Sequence, residues 1–296
     1  MPSLGASLHS PVSWPCRPAP VWCLTLALLA IDGLWIAGQG WRLAVGDLLL
    51  LALALCALQL PLLLRRYRRD ARIAGTLRAA CLLLLFQAGA ACMSYLLIAL
   101  APPLVDGVLA GWDHLLGLDW PALQRAQARL PETAQVLLRC AYNSGLPQIL
   151  LVLLYLGLSG RATRLQDFLL RYGVATMLVI LLSAPFPAAG AWKHFGTGNG
   201  SDLAALAHFE ALRDGSLREL ALSRMQGLIS MPSLHAAMAM LLAHALRGTP
   251  LRWPGLVLNL LMLAATPVEG GHYLVDVLAG VALALAVVAW RLPRQS

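Results

Sequence analysis

DLLLLALALCALQLPLLLRRYRRDAR, residues 47–72, is the stretch that decides the fold. No charge interrupts positions 48–64, and arginine then fills four of the five positions 65–69. An uncharged run of this kind crosses a bilayer as a helix. Arginines directly after it mark the cytoplasmic end. Working outward, apolar runs of similar length recur, and helices are predicted near 21–38, 43–64, 76–100, 134–158, 165–188, 231–247, 253–267 and 272–290. The composition agrees. Of 296 residues 59% are hydrophobic and 12% charged, and the mean hydropathy is +0.71, too little charge to cover a soluble domain. The expected fold is all-α, a polytopic membrane helix bundle of about eight transmembrane helices.

The formal charge of +8 does not point to nucleic acid, because no basic cluster sits among aromatics on a soluble domain. The arginines instead fix an orientation. Arg65–Arg72, Arg161 with Arg164, Arg247 with Arg252, and Arg291 with Arg294 all fall on one side of an eight-span chain. That side is cytoplasmic, so a tail of residues 1–20 and a tail of residues 291–296 are both expected there. The first apolar run is too long for a signal-peptide core and is read as an uncleaved helix. Loops 101–133 and 189–230 and the turn 268–271 then face outward. Trp112, Trp120 and Tyr273 are expected as interfacial anchors. The six cysteines are scattered through apolar runs without a CxxC pair, and they imply neither a disulfide framework nor a zinc site.

Two segments carry chemistry. Ser230-Met231-Pro232-Ser233-Leu234-His235 opens the sixth predicted helix, and Gly270-Gly271-His272-Tyr273-Leu274-Val275-Asp276 opens the eighth. The orientation read from arginines puts both openings at one depth on the outer face. Free N–H groups of a first helical turn, together with the Ser233 hydroxyl, make an anion site. Gly270 and Gly271 let a ligand approach the backbone. His272 and Asp276 stand four apart, as on one helical face. A carboxylate on one ring nitrogen fixes the tautomer and frees the other nitrogen to attack. Asp276 is costly at membrane depth unless it has a partner and a role. His244, by contrast, reads as a packing residue.

PSLH at 232–235 followed by HYLVD at 272–276 resembles the second and third motifs of the type 2 phosphatidic acid phosphatase superfamily. The wording is most similar to the branch that includes inositol phosphorylceramide synthases. The resemblance covers residues 76–290, a six-helix phosphatase or phosphotransferase core, with residues 21–75 as two accessory helices and an arginine-rich cytoplasmic loop. It implies that His272 is the nucleophile forming a phosphohistidine, that Asp276 orients it, that His235 protonates the leaving oxygen, and that Ser233 binds phosphate. It implies a lipid phosphate or phospholipid substrate, no metal and no other cofactor.

Two departures stand out. No KxxxxxxRP motif precedes the sixth helix, and Ala265 and Thr266 occupy the places of a phosphate-binding Ser-Arg pair. Substitute ligands are sought on the outer side, where Lys193 (the only lysine), Arg224, Asn143 and Gln148 are the candidates. Glu269 beside the phosphate site has no role in this reading. The expected function is a lipid-phosphate phosphatase or phosphotransferase in the bacterial inner membrane with its site on the periplasmic face. The alternative is a transporter or ion- or proton-conducting protein using the same His/Asp cluster. A third possibility is a metal site on His235, His272 and Asp276.

Overall fold

A computed structural model describes residues 19–197 and 200–290. The two expected cytoplasmic tails, apart from Ala19 and Pro20, lie outside the described residues, as do Arg291 and Arg294.

The chain is helical almost throughout. α1 (Ala19–Gly38) and α2 (Val45–Gln59) are joined by a short connection, and a 3-10 stretch (Leu60–Leu63) extends α2. The arginine cluster forms the short α3 (Arg65–Arg69) and leads into α4 (Ala71–Ile98), which Asp70 caps by accepting Arg72 N–H at 2.9 Å. The loop predicted at 101–133 folds into α5 (Asp106–Leu115) and α6 (Trp120–Ala128). The fourth predicted helix is two, α7 (Glu132–Asn143) and α8 (Gly145–Leu158), bent by 55° at Ser144. After α9 (Ala162–Ser183) come α10 (Ala191–Phe195) and α11 (Gly200–Arg213) in the second long loop, then α12 (Leu234–Leu246), α13 (Arg252–Glu269) and α14 (Leu274–Ala289).

By length and composition, four described helices suit a membrane crossing: α1, α2 with its extension, α4 and α9. The bent pair α7–α8 makes a fifth. α12 and α14 are apolar but shorter. At 1.5 Å per residue the 13 residues of α12 span only about 20 Å, less than the hydrocarbon core. Its predicted start at 231 is also corrected. Ser233 is the N-cap, accepting Ala236 N–H, and Pro232 precedes the helix.

α12 is the central helix and packs against α8, α9, α13 and α14. The main core joins Leu82 and Phe86 of α4, Val152 and Leu156 of α8, Val179 of α9 and Leu242 of α12. Gly280 makes the α12–α14 approach possible, because a Cβ there would lie 2.3 Å from the Ser233 carbonyl oxygen.

The arginine-bearing turns gather at one end. Arg164 donates to the Arg247 carbonyl, and Arg171 donates to the carbonyl of Val288 at 3.0 Å near the end of α14. The opposite end carries both motif segments. There, β1 (Arg42–Leu43), in the α1–α2 turn, pairs in parallel with β2 (Glu219–Leu220), in the loop before α12. Ser223 also donates to Asp47 at 2.9 Å. The arginine count assigns these two segments to one side, and they meet at one end of the bundle.

Candidate functional site

α14 begins at Leu274, so His272 and Tyr273 precede the helix, and the expectation that His272 and Asp276 share a helical face is corrected. They meet through capping. Asp276 is the third helical residue, and its Oδ2 reaches back to accept Tyr273 N–H at 3.1 Å. The same oxygen accepts the Ser230 hydroxyl at 2.6 Å and lies 3.4 Å from His272 Nδ1. Asp276 is fully buried, and its Oδ1 has no hydrogen-bond partner. The carboxylate therefore orients the ring through Nδ1, leaving Nε2 facing Ser233 Oγ at 3.4 Å. Ser233 N–H donates to the Asp276 carbonyl at 3.0 Å, which locks the two motifs together.

His235 opens α12, with its ring stacked on Tyr142 at 4.1 Å between centroids. His235 and His272 line one cavity of about 620 Å³ together with Tyr142, Asn143, Gly270, Gly271 and Lys193. Gly271 is needed twice over. Its φ is +61°, and a Cβ would lie 2.5 Å from the Trp192 indole. Its carbonyl accepts Ala191 N–H at 2.8 Å, tying α10 to the rim.

The expected phosphate ligands divide. Lys193 lines the cavity, paired with Glu210 of α11 at 2.8 Å. Asn143 lines it too, its amide donating to the Arg139 carbonyl at 2.9 Å. Arg224 does not; its side chain is 70% exposed and its partner is Glu219 at 3.8 Å. Gln148 does not either. It is buried between α8 and α13, accepting from Asn259 Nδ2 at 3.0 Å and donating to Ser144 at 2.8 Å. Its polarity serves helix pairing. Ala265 and Thr266 are buried, the threonine hydroxyl bonded to the Met262 carbonyl. Among the described residues lining the cavity, Lys193 is the single lysine or arginine.

Sequence reasoning missed the supporting frame. Asp113 of α5 accepts Leu274 N–H at 2.8 Å and Val275 N–H at 2.9 Å, the first turn of α14. Burial pushes its carboxyl up, against the opposing pull of these two amides. Asp106 accepts Ala189 and Gly190 N–H, each at 3.0 Å, and the Tyr273 hydroxyl at 2.9 Å. Tyr273 and Trp120 are buried, not interfacial, and the Trp120 indole donates to the His272 carbonyl at 3.1 Å. Glu269 turns to Gln127 at 2.7 Å and Arg139 at 3.4 Å. No pattern in the outer loops marks these residues, because each partner lies more than 60 residues away.

This geometry gives an oriented imidazole, a second imidazole in the same cavity and a capping serine between helix openings, an arrangement suited to displacement at phosphorus. The sequence profile of the PAP2 superfamily, the type 2 phosphatidic acid phosphatases, matches residues 107–290. The chain belongs to the PAP2 superfamily. Membership makes it a membrane phosphatase-type enzyme in general terms. The matched range of this PAP2 protein contains every motif residue and leaves out α1–α4. Comparison with curated proteins and with solved structures gives no match.

Proposed function

We propose that this protein hydrolyses or transfers the phosphoryl group of a lipid phosphate ester through phospho-His272, at the outer face of the bacterial inner membrane. The observation that carries the reading is the Ser230–Asp276–His272–Ser233 chain of contacts opening onto a cavity shared with His235. In the first half-reaction His272 Nε2 forms a bond to phosphorus while the P–O bond to the leaving alcohol breaks. His235 gives that oxygen its proton. In the second, His235 takes a proton from water or an acceptor alcohol, whose oxygen attacks phosphorus and expels His272. Asp276 offsets the positive charge on the phosphorylated ring, and the Leu234 and His235 N–H groups, which have no intrahelical acceptor, face the anion.

The charge balance refines the substrate. One lysine already paired with a carboxylate suits a singly charged phosphodiester better than a dianionic monoester. That favours the inositol-phosphorylceramide-synthase-like branch and an alcohol acceptor over water. The arginine-rich end is read as cytoplasmic, with both termini there. The eight-span count treats α12–α14 as crossings completed by the extended segments before α12 and α14, around a six-helix core.

The test is a screen of purified protein against lipid phosphomonoesters and phosphodiesters, with and without alcohol acceptors. Wild type turns over a phosphodiester and His272→Ala does not. Equal turnover by both proteins would end the phosphohistidine proposal. The transporter alternative predicts ion or solute flux in vesicles that His272→Ala abolishes, without ester turnover.

A further inference from the structure

The cavity continues well below the histidines. Its inner wall is formed by α4 and α9, where Gln87, Tyr172 and Thr176 line it among apolar neighbours such as Ala90, Ala91 and Ile180. Gln87 stands 11 residues before the end of α4 at Ile98, and Tyr172 stands 11 before the end of α9 at Ser183. At helical rise this is about 16 Å below the loops that hold the catalytic motifs. Polar groups at such depth are costly unless they pair or face a cavity. Tyr172 and Gln87 do pair, the hydroxyl donating to Gln87 Oε1 at 3.1 Å. That bond uses only the acceptor of the amide. The Gln87 Nε2 group brings two donors, and none of the described residues accepts from it. A leucine or alanine there would complete the apolar wall at no such cost.

We infer that Gln87, set by Tyr172, is a second recognition point of the cavity, donating to a hydroxyl or carbonyl oxygen carried on the hydrocarbon part of the lipid substrate, far from its phosphate. This rests on the proposed function for the identity of the ligand as a lipid phosphate. With phosphate at His272 the chain runs inward past Met238 in the cavity wall, and a mid-chain oxygen meets the amide. A plain chain leaves the Gln87 donors unpaired in a dry wall, so the inference concerns selection between lipids of equal length.

The probes are methyl octadecyl phosphate, a singly charged diester, and its mid-chain hydroxylated counterpart. Binding is measured to the His272→Ala protein, which holds ligand without turnover, and to His272→Ala carrying Gln87→Leu or Tyr172→Phe, all in one detergent. The ratio of the two Kd values within each protein cancels losses from folding, and comparison across proteins cancels micelle partitioning. The hydroxylated probe should bind roughly fivefold tighter to the Gln87 protein, what one net hydrogen bond contributes. The ratio should fall toward unity with Gln87→Leu, and part of the way with Tyr172→Phe, which frees the amide to reorient. A ratio near unity in the Gln87 protein, or one unchanged by Gln87→Leu, overturns the inference. Turnover by wild type is read separately. A Gln87-dependent ratio without turnover would sink the proposed reaction and leave this subsite standing, whereas turnover with no preference would do the reverse.

Discussion

Removing the Asp113 carboxylate should disable the site from beneath, with no atom of the reacting groups changed. Asp113 is 2% exposed and accepts the N–H groups of Leu274 and Val275 at 2.8 and 2.9 Å. These are two of the four donors that a helix N-terminus leaves without intrahelical partners. Asp113→Ala strands both. Hydrogen bonds to a charged acceptor are each worth about 1.5–3 kcal/mol. The sum is discounted here, because burial pushes the Asp113 carboxyl up and so already costs part of that gain. A net loss of about 2–3 kcal/mol remains. Its location decides its effect. Leu274 and Val275 sit between His272 and Asp276, so relaxation of that turn lengthens the 3.4 Å contact between them. A misplacement of this kind lowers kcat by at least roughly tenfold while KM moves less. Asp113→Asn keeps one acceptor oxygen and should fall between alanine and wild type. The assay is steady-state turnover of the lipid phosphate ester, with melting in detergent measured alongside. An Asp113→Ala protein that melts like wild type and keeps kcat/KM within twofold would refute the reasoning.

Other outcomes follow from the same geometry. Lys193→Ala should lower kcat/KM at least about tenfold, an effect of about 1.4 kcal/mol that persists in high salt, whereas the exposed Arg224 should tolerate alanine within about twofold; kinetics at two ionic strengths check both, and an inert Lys193 would leave the phosphate to backbone amides, Ser233 and Asn143. Asp276→Asn should slow turnover strongly while the protein still folds, since shape is kept and tautomer control is lost; retention of wild-type kcat would remove Asp276 from the mechanism. Gly280→Ala places a Cβ 2.3 Å from the Ser233 carbonyl and should displace the α12 opening from His272, measured as lost activity together with reduced thermal stability. In a background without native cysteines, cysteine at the exposed Ser216 should react with an impermeant thiol reagent from outside and cysteine at Tyr67 should not; the reverse pattern inverts the proposed orientation.

Much of this was legible in the sequence for one physical reason: bilayer and motif each impose a local pattern. Uncharged runs and arginine clusters located α1, α2, α4 and α9, and the spacing of His272 and Asp276 identified a contacting pair. The local detail was less legible. Helix onset at Leu274 instead of His272 depends on Asp276 capping backward and on Asp113 capping from another helix. The same limit applies to Gln148, which reads as a cavity residue until Asn259, 111 positions away, supplies its partner. Tyr273 and Trp120 looked like interfacial aromatics because nothing near them in sequence shows that α5 and α6 fold over the site.

The buried frame also accounts for the many carboxylates around the proposed phosphate site. Asp106, Asp113, Asp276 and Glu269 all stand within or beside the turn that holds His272, and four bare negative charges there would expel an anion. Each has its negative charge directed elsewhere. Asp106 and Asp113 each face two backbone N–H groups, Asp276 faces Ser230 and the Tyr273 amide, and Glu269 faces Arg139 and Gln127. Amide dipoles at loop and helix openings thus offset charge that would otherwise require cations. The carboxylates position backbone, the backbone positions His272, and the cavity is left with one lysine to meet the ligand. A site built this way can discard the arginines its relatives' motifs use, provided that the phosphate it receives carries little charge. The proposed preference for a diester over a monoester therefore rests on the frame as much as on Lys193.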